Sequence, residues 1–172
     1  MIRFFFYQCF YKAKKEYINS RMNLIIVESP TKANTLKKFL PKGYEVEATK
    51  GHVKDLPKST LGIDLKNNFE PEYIFVPSKK DVIAKIKKLA KNAQEVYLAT
   101  DPDRGGEAIS QHVKDSITTK GKVLRIVFHE ITKEALQEAL KNPHEVNQFL
   151  VDAQVARRVL DRLVGYKVSP LL

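Results

Sequence analysis

Residues 23–40 read NLIIVESPTKANTLKKFL. The apolar run closing on Glu28 is continuous rather than alternating, the pattern of a strand buried on both faces of a parallel sheet. Ser29-Pro30 then opens a helix, because proline fits the first helical turn, where its missing N–H is not needed. Leu36, Phe39 and Leu40 recur at helical spacing within it. A buried strand passing straight into a helix predicts an α/β chain, and the remaining sequence repeats that unit.

Pro41-Lys42-Gly43 ends the first helix, residues 44–49 alternate as a half-buried strand, and GHVKDLPKS (51–59) reads as a loop. A short strand at 73–76 leads through Pro77-Ser78 into a helix over 79–92. There Val82, Ile83, Ile86, Leu89 and Ala90 form one apolar face with lysines opposite. The strands EVYLAT (95–100) and KVLRIVF (122–128) enclose a helix over 106–117. From Thr132 the pattern is helical, and Asn142-Pro143 divides two helices. Strands alternating with such helices argue for βαβ units and a parallel sheet.

With 172 residues, 43% of them hydrophobic, the chain suits one domain and the beginning of a second. Cys9, the single cysteine, excludes a disulfide framework and a cysteine zinc site, in keeping with a reducing cytoplasm. A net charge of +10 and a pI near 9.6 predict attraction to polyanions, nucleic acid first and an anionic membrane surface second. Residues 1–21 carry five basic side chains against Glu16, and their aromatic run is too short to span a bilayer. They read as an upstream extension, with the fold beginning near Met22, or alternatively as a segment lying on a membrane surface.

Functional groups of a parallel sheet gather at the carboxyl ends of its strands. Glu28 closes the first strand, and Asp101 and Asp103 follow EVYLAT, so three carboxylates meet if those strands are neighbours. Asp-x-Asp in an extended turn points both side chains one way, and Mg²⁺ binds through one or two carboxylates beside a phosphate. The plainer reading is a turn at Asp101-Pro102, with Asp103 capping the next helix and Glu28 serving as a helix cap or dipole partner. Lys32, in the first turn of its helix, adds charge to a natural phosphate site.

Five segments in register, IIVESPTKANT (25–35), KGHVKDLP (50–57), LATDPDRGGEAI (98–109), FHEIT (128–132) and DAQVARRVLDRLVGYKVSPLL (152–172), resemble type IA DNA topoisomerases. The resemblance implies a Toprim domain over 22–142, with a four-stranded, mainly parallel sheet flanked by helices. It makes 143–172 the truncated start of a helical DNA-binding domain. It assigns Glu28 to proton transfer near the scissile phosphate and Asp101 and Asp103 to Mg²⁺, and it sets Lys32 and Arg104 beside the DNA backbone. It implies that Arg158 and Tyr166 flank a base of single-stranded DNA and that Arg157 and Arg162 contact the backbone, with Asp161 among them. Read without the family, Arg158, Asp161 and Arg162 form a salt-bridged helix surface opposite a buried stripe of Ala153, Ala156, Leu160, Leu163 and Val164. His52 and His129 read as hydrogen-bonded structural histidines.

Two departures qualify this expectation. Gly105 stands where the family motif DPDREGE has its central glutamate, so a weakened Mg²⁺ site is expected; Glu107 reads as a first-turn acid and not a replacement ligand. The nucleophilic tyrosine of the family lies in a later domain, and none of the tyrosines here sits in its motif. The expected protein is cytoplasmic and monomeric, binds single-stranded DNA, uses no ATP for want of a Walker A pattern, and does not relax DNA alone. The competing expectations are a stand-alone, non-catalytic Toprim DNA-binding protein and another Toprim enzyme such as a primase or nuclease.

Overall fold

The computed structural model describes residues 22–169. Residues 1–21, and with them the reading of that segment, lie outside the described residues. The central sheet holds β1 (Asn23–Val27), β2 (Tyr44–Ala48), β7 (Glu95–Leu98) and β8 (Lys122–Arg125) in the order β2-β1-β7-β8, every neighbouring pair parallel. The helices are α1 (Pro30–Phe39), α2 (Lys80–Asn92), α3 (Arg104–Lys114), α4 (Lys133–Lys141) and α5 (Gln148–Leu163).

The continuous apolar strands follow from helices on both faces. Leu24, Ile26, Val96 and Leu98 point to one side, against Ile83, Ile86 and Ala90 of α2 and Ile109 and Val113 of α3. Ile25, Val27 and Tyr97 point to the other, with Ala33 and Leu36 of α1 and Leu136 and Ala139 of α4. Alternate residues of one strand therefore belong to different cores, and neither face can turn polar.

The 51–76 region departs from the sequence reading. The stretch read as a loop contains β3 (Lys54–Asp55), which pairs antiparallel with β6 (Ile74–Phe75), and β4 (Ile63–Asp64) pairs with β5 (Glu70–Pro71). The strand expected at 73–76 thus belongs to a small ribbon outside the main sheet. β8 stops at Arg125, where the backbone exchanges both hydrogen bonds with His144 and leaves the sheet.

The buried stripe expected on α5 is also corrected. Leu160 and Val164 are exposed, as are Ala153 and Ala156, whereas Val151 and Val159 are buried and Val155 is partly so. Val155, Val159 and Leu163 pack on Leu56 and Ile63. Of the expected stripe only Leu163 lies on the packed face, which Val155 and Val159 share with it at i,i+4 spacing.

Candidate nucleic-acid and metal site

β1 leads through α1 to β2 on one side, and β7 leads through α3 to β8 on the other. The crevice between the carboxyl ends of β1 and β7 is therefore the switch point of the sheet, where ligands of such folds bind. It is lined by Glu28, Lys50, His52, Asp101, Asp103 and Gly105.

Three of the expected groups converge there. Ser29 caps α1, its side chain accepting from the Lys32 N–H at 3.2 Å, which sets Lys32 one turn above Glu28. The Lys32 ammonium donates to Glu28 Oε1 at 3.0 Å and also to Asp101 Oδ1. Burial, and then the Asp101 carboxylate, raise the pKa of Glu28; hydrogen bonding to Glu28, opposed by burial, leaves that of Asp101 lowered. One carboxyl inclined to hold a proton beside one inclined to stay ionised divides the pair into an acid and an anion.

Asp103 has a different task. Its Oδ1 accepts the Gly106 N–H at 2.6 Å as the N-cap of α3. Gly106 is required by close approach, since a Cβ there would stand 2.1 Å from the Asp101 carbonyl oxygen. A Cβ at Gly105 meets nothing nearer than Asp103 Oδ1 at 3.4 Å, so a side chain has room. Arg104 is exposed at the first turn of α3. Among the described residues no three acids, histidines or cysteines already stand together as a metal-binding group. Glu28 and Asp101 fit Mg²⁺, which commonly takes one or two carboxylates and keeps several waters, but the ion must share them with Lys32.

Arg158, Arg162 and Tyr166 come together around the 55–60 loop. Arg158 makes a two-pronged bond to Asp55, Nε to Oδ1 at 2.9 Å and Nη2 to Oδ2 at 2.9 Å, and Arg162 donates to the carbonyls of Pro57 at 2.8 Å and Thr60 at 3.2 Å. The Tyr166 hydroxyl donates to Lys58 O at 2.7 Å, and the Arg162 guanidinium lies 5.1 Å from the Tyr166 ring centre. Arg157 and Asp161 form an exposed pair at 3.6 Å. His52 lines both the carboxylate crevice and a second cavity, of about 330 Å³, shared with Asp55, His112 and Arg158. The two halves of the site therefore adjoin.

The expectation for His52 and His129 fails: both are exposed, and neither ring makes a hydrogen bond among the described residues. The buried histidine is His112, 9% exposed, with Nδ1 unpartnered and its ring edge-on to Tyr73 at 4.6 Å. Burial, aided by Lys54, lowers its pKa to about 4. In the unfolded chain an imidazole titrates near 6.5, so between these values the unfolded state binds more protons. Stability is then expected to fall by about 1.4 kcal/mol per pH unit as pH drops from about 6.5 toward 4, and to be flat for this group above that range. Urea unfolding from pH 4 to 7 checks this, with His112→Gln expected to flatten the profile.

The sequence reading missed Arg125 and Glu107 as a pair. Arg125 is fully buried, and its Nε donates to Glu107 Oε1 at 2.8 Å; Glu107 is 2% exposed. Three of the four remaining guanidinium hydrogens go to the carbonyls of Leu98 at 2.9 Å, Ile126 at 2.6 Å and Asp101 at 2.8 Å. Arg125 thus supports the carboxylate loop from beneath. A lone arginine inside the apolar run KVLRIVF was the available signal, since a buried charge requires a partner.

Residues 23–131 match the Toprim domain family. The chain belongs to the Toprim family. This Toprim chain is also similar to full-length topoisomerase I from Thermotoga maritima, at 50% identity and a TM-score of 0.81, over 87% of the present chain. That bears out the resemblance to type IA topoisomerases and the α/β Toprim fold drawn from the sequence. The Toprim chain spans 26% of the length of that structure. Among its described residues no helix is long and apolar enough to cross a membrane.

Proposed function

We propose that this chain is the phosphate-handling half of a type IA topoisomerase cleavage centre, a Mg²⁺-dependent site for breaking and rejoining one DNA strand. The observation that carries it is the meeting of Glu28, Lys32 and Asp101 at the sheet's switch point, in a chain half identical to a topoisomerase I. Glu28, whose pKa is raised by burial, gives its proton to the sugar oxygen that leaves phosphorus as the oxygen of a deprotonated tyrosine attaches, and recovers it on rejoining. Lys32 and Arg104 balance the charge of the scissile phosphate. Asp101 would hold Mg²⁺, joined by the Asp103 oxygen that does not cap α3 and by Glu28 when it is ionised, and the bound ion would supply further positive charge to that phosphate.

The nucleophilic tyrosine comes from elsewhere, and Tyr166 instead serves, with Arg158, as the stacking pair for a base of single-stranded DNA. Arg157 and Arg162 hold the backbone, and Asp161 orients Arg157. The protein acts as a cytoplasmic monomer. Gly105 and the internally paired carboxylates support a second reading, a Toprim DNA-binding protein that does not cut.

Three measurements test the proposal. The purified chain is expected to leave supercoiled plasmid unrelaxed in Mg²⁺ and to bind single-stranded oligonucleotides more tightly than duplex, with Arg158→Ala weakening only the former. Relaxation by the chain alone would overturn the missing-nucleophile argument. Equal affinity for both DNA forms across a salt series would overturn the stacking role. Mg²⁺ binding abolished by Asp101→Asn supports the cleavage-centre reading, and its absence from the unaltered chain supports the second.

A further inference from the structure

Glu107 carries two bonds that lead to different parts of the molecule. Its Oε1 takes the Arg125 Nε–H, and its Oε2 takes the backbone N–H of Asn147 at 3.0 Å. Arg125 in turn donates to the Asp101 carbonyl. Asn147 is the N-cap residue of α5, the helix that bears Arg157, Arg158 and Arg162. The segment between is pinned at its other end, since His144 exchanges backbone hydrogen bonds with Arg125 at 2.7 and 2.9 Å. α5 also packs along α3, whose first turn contains Glu107.

We infer that the buried Glu107–Arg125 pair is a positioning relay that ties the seating of α5 to the shape of the Asp101 loop. Surface contact alone would let α5 rock against α3. A charged acceptor buried beneath its first turn restricts that motion, because any shift of Asn147 takes a donor away from the carboxylate of Glu107, which is 2% exposed. The same carboxylate sets the guanidinium plane, and the guanidinium sets the Asp101 carbonyl. Displacement at one end is thereby felt at the other. The consequence for function, which rests on the cleavage-centre reading, is that the arginines of α5 keep a fixed offset from the carboxylate crevice, so that a held base and the scissile phosphate stay in register.

The test removes one hydrogen and leaves the ion pair in place. Asn147→Pro abolishes the N–H, and the φ of −77° at this position suits the proline ring. Asn147→Ala is the control, losing the cap oxygen but keeping the N–H. Hydrogen exchange is read in the metal-free chain, over residues 148–152 and over the segment 101–106. Both variants are expected to fray the first turn of α5, but only Asn147→Pro accelerates exchange several-fold at 101–106. Equal exchange at 101–106 in the two variants would overturn the relay and leave Asn147 a local cap. In a second arm Mn²⁺ is added, and binding at Asp101 is expected to slow exchange at 148–152 in the unaltered chain and not in Asn147→Pro. If Mn²⁺ protects neither segment of the unaltered chain, the metal reading fails while the metal-free arm still decides the relay.

Discussion

Replacing Arg125 by methionine is expected to lower the stability of this protein by about 3–5 kcal/mol, the cost of stranding one partner of a buried ion pair. Methionine fills similar space, so cavity formation is a small part of the loss. The larger part is Glu107, 2% exposed, left with the Asn147 N–H and no counter-charge. Three carbonyls also lose a donor, though unequally: Leu98 O keeps the Ile126 N–H at 3.0 Å. Stability of a domain this size is on the order of 5–15 kcal/mol, so the variant should fold only marginally and show a much lower urea midpoint. Adding Glu107→Leu should restore most of the loss, since replacing both partners by apolar groups removes the stranded charge. It should not restore all of it, because the Asn147 N–H then loses its acceptor, a smaller loss at an exposed residue that water can reach. A loss below about 1 kcal/mol for the single variant would show that water reaches Glu107 and that the pair is not sealed.

The second large effect concerns Gly105. Gly105→Glu should tighten Mg²⁺ binding by about tenfold, or about 1.4 kcal/mol, by adding an anionic oxygen where two acids already share an ammonium. The space exists, since the nearest atom to a Cβ there is Asp103 Oδ1 at ordinary contact distance. Residue 105 also lies in the first turn of α3, where negative charge is favoured by the helix dipole. Without metal the new carboxylate faces Asp103, so the variant should be slightly less stable in chelator and more stable in millimolar Mg²⁺. Calorimetric titration with Mg²⁺ measures the first effect, and equal affinities in the two proteins would show that position 105 does not reach the ion. A thermal melt with and without Mg²⁺ measures the second.

These two predictions draw on different sources. Gly105 stands out in the sequence, because a motif with one missing acid is visible as soon as the motif is. Arg125 and Glu107 do not, because nothing local distinguishes a first-turn glutamate on the surface from one buried beneath another helix. Their meaning comes from a contact eighteen residues apart and a second forty residues apart.

The same division runs through the fold. The order of the main-sheet strands and of the helices and the parallel sheet were legible, as was the meeting of Glu28 with Asp101 on condition that their strands are neighbours. Each depends on hydrophobic period, on helix start signals, or on the rule that loops at the carboxyl ends of parallel strands carry the chemistry. Sheet order is what made Glu28 and Asp101 neighbours, and β1 beside β7 was an assumption until the sheet was seen.

By itself, then, the sequence determined the α/β class, the acids at the strand ends and the missing acid, because near-neighbour spacing along the chain encodes them. Only the tertiary structure decided which face of α5 is buried, that Arg158 clasps Asp55, that one oxygen of Asp103 caps α3, and that His112 rather than His52 or His129 is the buried imidazole. Each of those depends on which surface a side chain meets across the fold, and desolvation and pairing at that surface are not written in local spacing.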